Sequence, residues 1–236
     1  MFREKSSVPR ATAIIVAAGS SRRMGEGKNK QFILIDGMPV LAHTLLKFNE
    51  AETIETIIIV TRQDCILTVG DIVKEFEISK VKHIVPGGET RQESVFCGLS
   101  YADNNSLVAI HDGARPFISV NKINELVYTA YRCGASAPGV VPKDTVKLVN
   151  DDDTVSETLD RNSLRLIQTP QVFSAEVLIS AYKHAKNQGF IGTDDCSVAE
   201  NAGVSVQIVD GEYTNIKVTT PEDLPVAEAI YNYIKE

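Results

Sequence analysis

Apolar runs of strand length alternate with amphipathic stretches along most of the chain. Runs at Thr12–Ala17, Ile54–Thr61, Val81–Val85, Leu107–His111 and Ala135–Val141 are continuous and rich in β-branched or small residues. Such runs mark strands covered on both faces. Helical patterning covers Pro39–Asn49, Val69–Glu77, Thr90–Ala102, Val120–Arg132, Ala175–Asn187, Asp194–Asn201 and Pro221–Lys235. Two of these helices open on clear signals. Thr90-Arg-Gln-Glu93 reads as a capping box, and Thr220-Pro221-Glu222-Asp223 offers an N-cap, a first-turn proline and acids at the positive end of the dipole. The alternation predicts an α/β fold, a mostly parallel sheet with helices on both faces. No repeat or low-complexity linker interrupts it, so one domain is expected over 1–236.

One segment breaks the rhythm. In "KDTVKLVNDDDTVSETLDRNSLRLIQ", residues 143–168, β-type positions flank an acidic turn at Asn150–Asp153, a hairpin inserted between α/β units. Having no large core of its own, this β-arm is expected to reach another chain rather than lie over its own domain.

Composition narrows the partners. The 236 residues carry a net charge of −7, with 43% hydrophobic and 23% charged residues. These are the proportions of a soluble globular protein, and the acidic balance argues against nucleic acid. The longest apolar runs, such as Ile57–Val60, are strand-sized, so no membrane span is expected. The first residues, "MFREKSSVPRA", place no apolar core behind their charges and do not read as a secretory signal. Cys65, Cys97, Cys133 and Cys196 form no CxxC pair and read as reduced thiols in a cytoplasmic protein.

Against that balance, "IIVAAGSSRRMGEGKNKQ" at 14–31 stands out. Arg22, Arg23, Lys28 and Lys30 face a single acid, Glu26, just after the first predicted strand. Ligands of open α/β sheets bind beyond the C-terminal ends of strands. GxGxxG is absent, and GxxxxGK[ST] fails because Arg22 holds the first glycine position and Asn29 follows the lysine. What remains is a small-residue loop whose backbone N–H groups and basic side chains suit a polyphosphate. The local alternative is a solvated loop.

Three further segments carry chemistry. In "AIHDGARPF", Asp112 closes a predicted strand and Arg115 follows. Magnesium takes one or two protein carboxylates plus phosphate oxygens, so a lone aspartate beside a polyphosphate loop suffices. Alternatively, Asp112 caps a turn and pairs with Arg115. His111 reads as a packed strand residue. In "VPGGETRQESV", Gly87-Gly88 precedes a helix and either exposes backbone groups to a base edge or forms an ordinary turn. "NIKVTTPEDL" presents Lys217 on a short strand before the last helix.

These segments, with "KQF", "DTVK", "LDRNSL", "QTPQVF" and "GTDDCS" in order between them, resemble the 2-C-methyl-D-erythritol 4-phosphate cytidylyltransferases of the non-mevalonate isoprenoid pathway. The resemblance runs over nearly the whole chain. AAGxxxRM alone marks only a nucleotidyltransferase of the sugar-nucleotide type; HDGARP, LDRN and TPQ make the match specific. It implies a Rossmann-like domain, a homodimer joined through an exchanged β-arm, and transfer of CMP from CTP to methylerythritol phosphate with magnesium or another divalent cation. By motif, Ala17, Ala18, Gly19, Arg23 and Lys30 would hold the triphosphate, with Arg23, Lys30 and Lys217 catalytic. Gly88, Glu89 and Ser94 would line the cytidine site. Asp112 would bind the metal, and Arg115, Thr145, Thr169 and Thr193 would surround the sugar phosphate. Lys217 would touch both phosphates, and Arg161 on the arm would reach the partner's substrate.

Several of these residues have local alternatives. Thr193 could N-cap a helix, Thr145 and Thr169 could be plain strand residues, and Arg161 could pair with Asp160. Ser21 and Asn29 stand where the family often has glycine and proline, which affects loop stiffness rather than charge. A ribitol-phosphate cytidylyltransferase shares the chemistry, but the HDGAR and LDRN segments lean towards methylerythritol phosphate. A non-catalytic sugar-nucleotide-binding module would bind CTP without forming product, and the set Arg23, Lys30, Asp112 and Lys217 argues against it.

Overall fold

The computed structural model of the protein describes residues 8–19 and 30–235, the Lys30 side chain excepted. Arg22, Arg23 and Lys28 lie outside the described residues, as do Ser21 and Asn29. In chain order the elements are β1 (Ala11–Ala17), β2 (Leu34–Ile35), β3 (Met38–Pro39), α1 (Val40–Glu50), β4 (Ile54–Thr61), α2 (Ile66–Glu75) and β5 (Val81–Pro86). There follow α3 (Arg91–Leu99), β6 (Leu107–Asp112), α4 (Val120–Cys133), β7 (Ala135–Val140), β8 (Lys147–Val149) and β9 (Val155–Thr158). The chain continues through β10 (Leu166–Ile167), β11 (Gln171–Ser174), α5 (Ala175–Gln188), α6 (Asp195–Asn201), β12 (Gln207–Asp210) and α7 (Asp223–Lys235).

Continuous apolar strands are explained by what lies on either side of them. β1 runs parallel to both β4 and β6, with Ile14 opposite Ile58 and Ile110. These three isoleucines pack against α3 and α5 through Val95, Leu99 and Leu178. The alternate residues Ala13, Ile15 and Ile59 pack on the other face with Leu45 and Phe48 of α1 and Leu126 of α4. All are fully or almost fully buried, and each large side chain so placed contributes about 1.5–3 kcal/mol of transfer free energy. The two cores pin the sheet register, because a one-residue slip would exchange the faces.

β5 extends the parallel set beyond β4. On the far side, β11 runs antiparallel between β6 and β7, and β12 closes the other edge of β7 in parallel. β10 pairs with β7 ahead of β11. The sheet is mostly parallel with an antiparallel insert, and β10, β11 and β12 extend the strands expected from the sequence.

Other boundaries also shift. The expected capping box forms: Thr90 Oγ1 accepts from Glu93 N–H at 3.1 Å, and Glu93 Oε2 accepts from Thr90 N–H at 3.0 Å. The last helix starts at Asp223 rather than Pro221, because the Asp223 carboxylate gathers the N–H groups of Thr219 and Thr220 at 2.7 and 2.9 Å. Asp194, not Thr193, caps α6, accepting from Ser197 N–H at 2.8 Å. Lys217 lies on extended chain rather than on a strand, since its neighbour Val218 makes a single tether, N–H to the Ala114 carbonyl at 2.9 Å.

Within 143–168, the hairpin is β8 and β9, which form a two-stranded sheet of their own. Leu148, Val149 and Val155 are each about half exposed on it, at 50%, 54% and 57%. α7 packs on β2, and Ile35, Val40, Phe117, Val218 and Ala227 form a small core there. That small core holds the 217–218 segment against the end of β6.

Candidate active site

β6, β1, β4 and β5 lie in that order across the sheet, and beyond the C-terminal ends of β6, β1 and β5 lies a cavity of about 300 Å³. Seven of the expected residues line it: Ala18, Gly19, Gly88, Glu89, Ser94, Asp112 and Lys217. Arg91 and Gln31 complete its polar wall. Gly19 and Gln31, on either side of the undescribed 20–29 stretch, both reach the cavity. Ala17 is buried at the strand end, and its carbonyl accepts from the Gln31 side-chain amide.

The Gly-Gly turn is forced by close approach. A Cβ on Gly87 would lie 2.6 Å from Ala18 Cβ and 2.7 Å from Ser94 Oγ. Ser94 is itself buried, its hydroxyl donating to the Thr90 carbonyl at 2.9 Å. The capping box also consumes donors: Glu93 Oε2 accepts from Glu89 N–H at 2.8 Å. Fewer backbone donors therefore face the cavity than the turn alone implied.

Asp112 organises the opposite wall. Its Oδ2 lies 2.8 Å from Lys217 Nζ and 3.6 Å from Arg115 Nε, and its Oδ1 lies 3.2 Å from Arg91 Nε. Burial opposes its ionisation, but Arg91 and Lys217, then Arg115, outweigh that and hold the carboxyl well below the usual range. Arg91 in turn reaches Asp195 Oδ2 at 2.8 Å, a carboxylate with no solvent exposure that also accepts from the Tyr182 hydroxyl. Burial pulls the Arg91 guanidinium down, yet Asp195 and Asp112 prevail and raise it. Burial lowers Arg115, with Asp112 opposing. Three cations meet two buried carboxylates, and the surplus positive charge faces the cavity. Arg115 N–H also donates to the Asp112 carbonyl at 3.0 Å, so the local turn and the ion pair coexist with the cluster.

Arg91 and Asp195 were not among the expected residues. An arginine in a helix's first turn reads as solvated, and its partner lies 104 residues on.

The remaining expected residues divide. Thr169 is buried next to the cluster, accepting from Asp112 N–H at 3.1 Å. Thr145, Arg161 and Thr193 are exposed and do not line the cavity. Arg161 donates to the Lys143 carbonyl at 2.6 Å, while Asp160 accepts from Asn162 N–H. Thr193 stands two residues before Asp195, the partner of Arg91.

A divalent cation can be tested against this donor set. A carboxylate offers about four lone-pair positions, and on Asp112 Arg91 and Lys217 approach one each, while Arg115 Nε stays 3.6 Å away without a hydrogen bond. Among the described residues no group of three or more His, Cys, Asp or Glu could hold a metal. The site therefore fits a hard ion that takes one oxygen from Asp112 and the rest from phosphate and water, the habit of magnesium.

Fold and cavity together define a class: a Rossmann-like α/β protein with a cation-lined pocket beyond the C-terminal edge of its sheet. Residues 11–233 match the family model IspD, 2-C-methyl-D-erythritol 4-phosphate cytidylyltransferase, and the chain belongs to that family. It is 45% identical to the 2-C-methyl-D-erythritol 4-phosphate cytidylyltransferase of Halalkalibacterium halodurans, over 93% of this chain and 96% of that one. To the protein of the same description in Clostridium novyi it is 45% identical over 94% of this chain and 97% of the relative. The crystal structure of 4-diphosphocytidyl-2C-methyl-D-erythritol synthase from Anaerococcus prevotii superposes with a TM-score of 0.86 at 34% identity, covering 97% of each chain. Among the described residues no helix is long and apolar enough to cross a membrane.

Proposed function

We propose that this protein transfers CMP from CTP to 2-C-methyl-D-erythritol 4-phosphate, giving 4-diphosphocytidyl-2-C-methyl-D-erythritol and pyrophosphate for isoprenoid precursor synthesis. The observation that carries the reading is the family match over 11–233, which takes in every segment lining the cavity. The chain acts as one nucleotidyltransferase domain in the cytoplasm, dimerising through the arm at 143–168, whose half-exposed apolar residues support that role.

The nucleophile is an oxygen of the substrate's phosphate monoester. Its second pKa is about 6, so at neutral pH it is already largely dianionic and needs no general base. The oxygen bonds to the α-phosphorus of CTP as the bond to the β-phosphate oxygen breaks, and the pair of electrons leaves with pyrophosphate. What the protein must supply is positioning and compensation of charge on two anions. Lys217 and Arg91 face the cavity for that work, and Arg115 stands behind them. Arg23 and Lys30 are assigned to the triphosphate by motif, with Ala17, Ala18 and Gly19. Gly88, Glu89 and Ser94 hold the cytidine. Arg115, Thr145, Thr193 and, across the dimer, Arg161 attend the sugar phosphate, with Thr169 buried beside Asp112. Asp112 would hold a divalent cation, magnesium by its donor chemistry, which supplies further charge neutralisation at the phosphates.

The reading is tested by turnover with CTP and magnesium on methylerythritol phosphate against ribitol 5-phosphate. Preference for the former is expected. Preference for ribitol phosphate would overturn the substrate, and CTP binding without product would overturn the transfer.

A further inference from the structure

His111 is wholly buried in β6, and the proposed reaction gives it no proton to move. Its ring is nevertheless fully engaged. Nε2 lies 3.1 Å from the Arg115 carbonyl, which can only accept, so Nε2 carries the proton and donates. Full burial disfavours a charged ring, and in a neutral imidazole protonated at Nε2 the Nδ1 atom is an acceptor. It receives the Thr169 hydroxyl proton at 3.0 Å, and Thr169 Oγ1 accepts in turn from Asp112 N–H at 3.1 Å. Phe48 of α1 packs on the ring at 4.8 Å between centroids and holds its plane.

These bonds close a circuit. The Thr169 carbonyl accepts from Asn215 Nδ2 at 3.0 Å, and the Asn215 carbonyl accepts from Arg115 Nη1 at 2.8 Å. The Arg115 carbonyl returns to His111. The end of β6, the turn after it, the segment before β11 and the strand of chain leading to Lys217 are thus tied together through one imidazole. We propose that His111 is a positioning residue of this site, fixing Asp112 through Thr169 and Arg115 through its carbonyl, for the cytidylyl transfer proposed above. Thr169 then works mainly as the link between His111 and Asp112: its only hydroxyl proton is spent on the ring, leaving none to give to a substrate phosphate.

Two conservative variants separate the two bonds. His111→Gln keeps a donor for the Arg115 carbonyl and loses the acceptor for Thr169. His111→Asn keeps the acceptor and frees the Arg115 carbonyl. Releasing one buried hydrogen-bonding group corresponds to an effect on the order of tenfold. His111→Gln is expected to lower kcat through Asp112, and His111→Asn to raise KM for the sugar phosphate through Arg115. Thr169→Val should follow His111→Gln, and Thr169→Ser should restore most of the rate. In ¹⁵N–¹H spectra of the wild-type imidazoles, His111 should show the Nε2–H tautomer with a slowly exchanging proton.

An Nδ1–H tautomer would overturn the proposal, as would wild-type kcat and KM in both folded His111 variants. That second result, with an active wild-type protein, removes only the role of His111. No turnover by the wild-type protein removes the reaction itself, and this role with it, even if the tautomer is as expected.

Discussion

Lowering the pH from 7 to 5 is expected to destabilise the wild-type protein by about 2 kcal/mol more than it destabilises the His111→Gln variant. Burial pushes the His111 imidazole from its ordinary 6.5 down to about 4, against the opposing effect of its bond to the Arg115 carbonyl. Between those values the unfolded chain binds a proton that the native protein excludes. Stability is therefore fully present above 6.5, falls as the pH falls through that window, and levels off below about 4. At about 1.4 kcal/mol per pH unit the whole window is worth about 3 kcal/mol, of which about 2 is lost by pH 5. Glutamine does not titrate, so the difference between the two pH responses isolates this one group. The chain has no tryptophan, so equilibrium urea unfolding is best followed by far-UV circular dichroism. His43, whose burial also lowers it, is common to both proteins and cancels. Equal losses in the two proteins would mean that His111 titrates near its ordinary value in the folded state, against this prediction.

Other parts of the site give separate predictions. Arg91→Ala should cost about 3 kcal/mol in urea unfolding, because it strands the fully buried Asp195 carboxylate; a loss within experimental error would show the pair to be dispensable. Gly87→Ala drives a methyl into Ala18 and Ser94, and should cost about 1–3 kcal/mol while raising KM for CTP. Arg23→Ala and Lys30→Ala should each slow pyrophosphate release on the order of ten- to a thousandfold, the effect of losing one transition-state donor. Near-normal rates in both would take the basic loop out of the chemistry. Arg161→Ala should impair use of the sugar phosphate while calorimetry still detects CTP binding.

Much of the fold was legible because its strands are buried on both faces. Ile14, Ile58 and Ile110 face one set of helices and Ala13, Ile15 and Ile59 the other, so polar residues had no place to appear. β11 and β12 escaped for the opposite reason. "QVFS" and "QIVD" are four residues each, and Gln171 is buried only because its amide bonds Asp194 and the Cys196 N–H. Asp112 could be picked out from its charge at the end of β6, whereas Lys217, off any element, was singled out by the family resemblance. Arg91 could not, because its role depends on Asp195 across the fold. His111 looked like packing from its neighbours in sequence, and its burial agrees; the circuit through Thr169, Asn215 and Arg115 exists only in three dimensions.

By the function proposed above, the cation-lined cavity around Asp112 joins CMP to a sugar phosphate. A ³¹P spectrum of the protein incubated with CTP, magnesium and methylerythritol phosphate tests it most directly. A new diphosphate diester and pyrophosphate should grow in equal amounts and be lost when Lys217 is replaced by alanine. An unchanged CTP spectrum, or equal product from the Lys217→Ala variant, would contradict it.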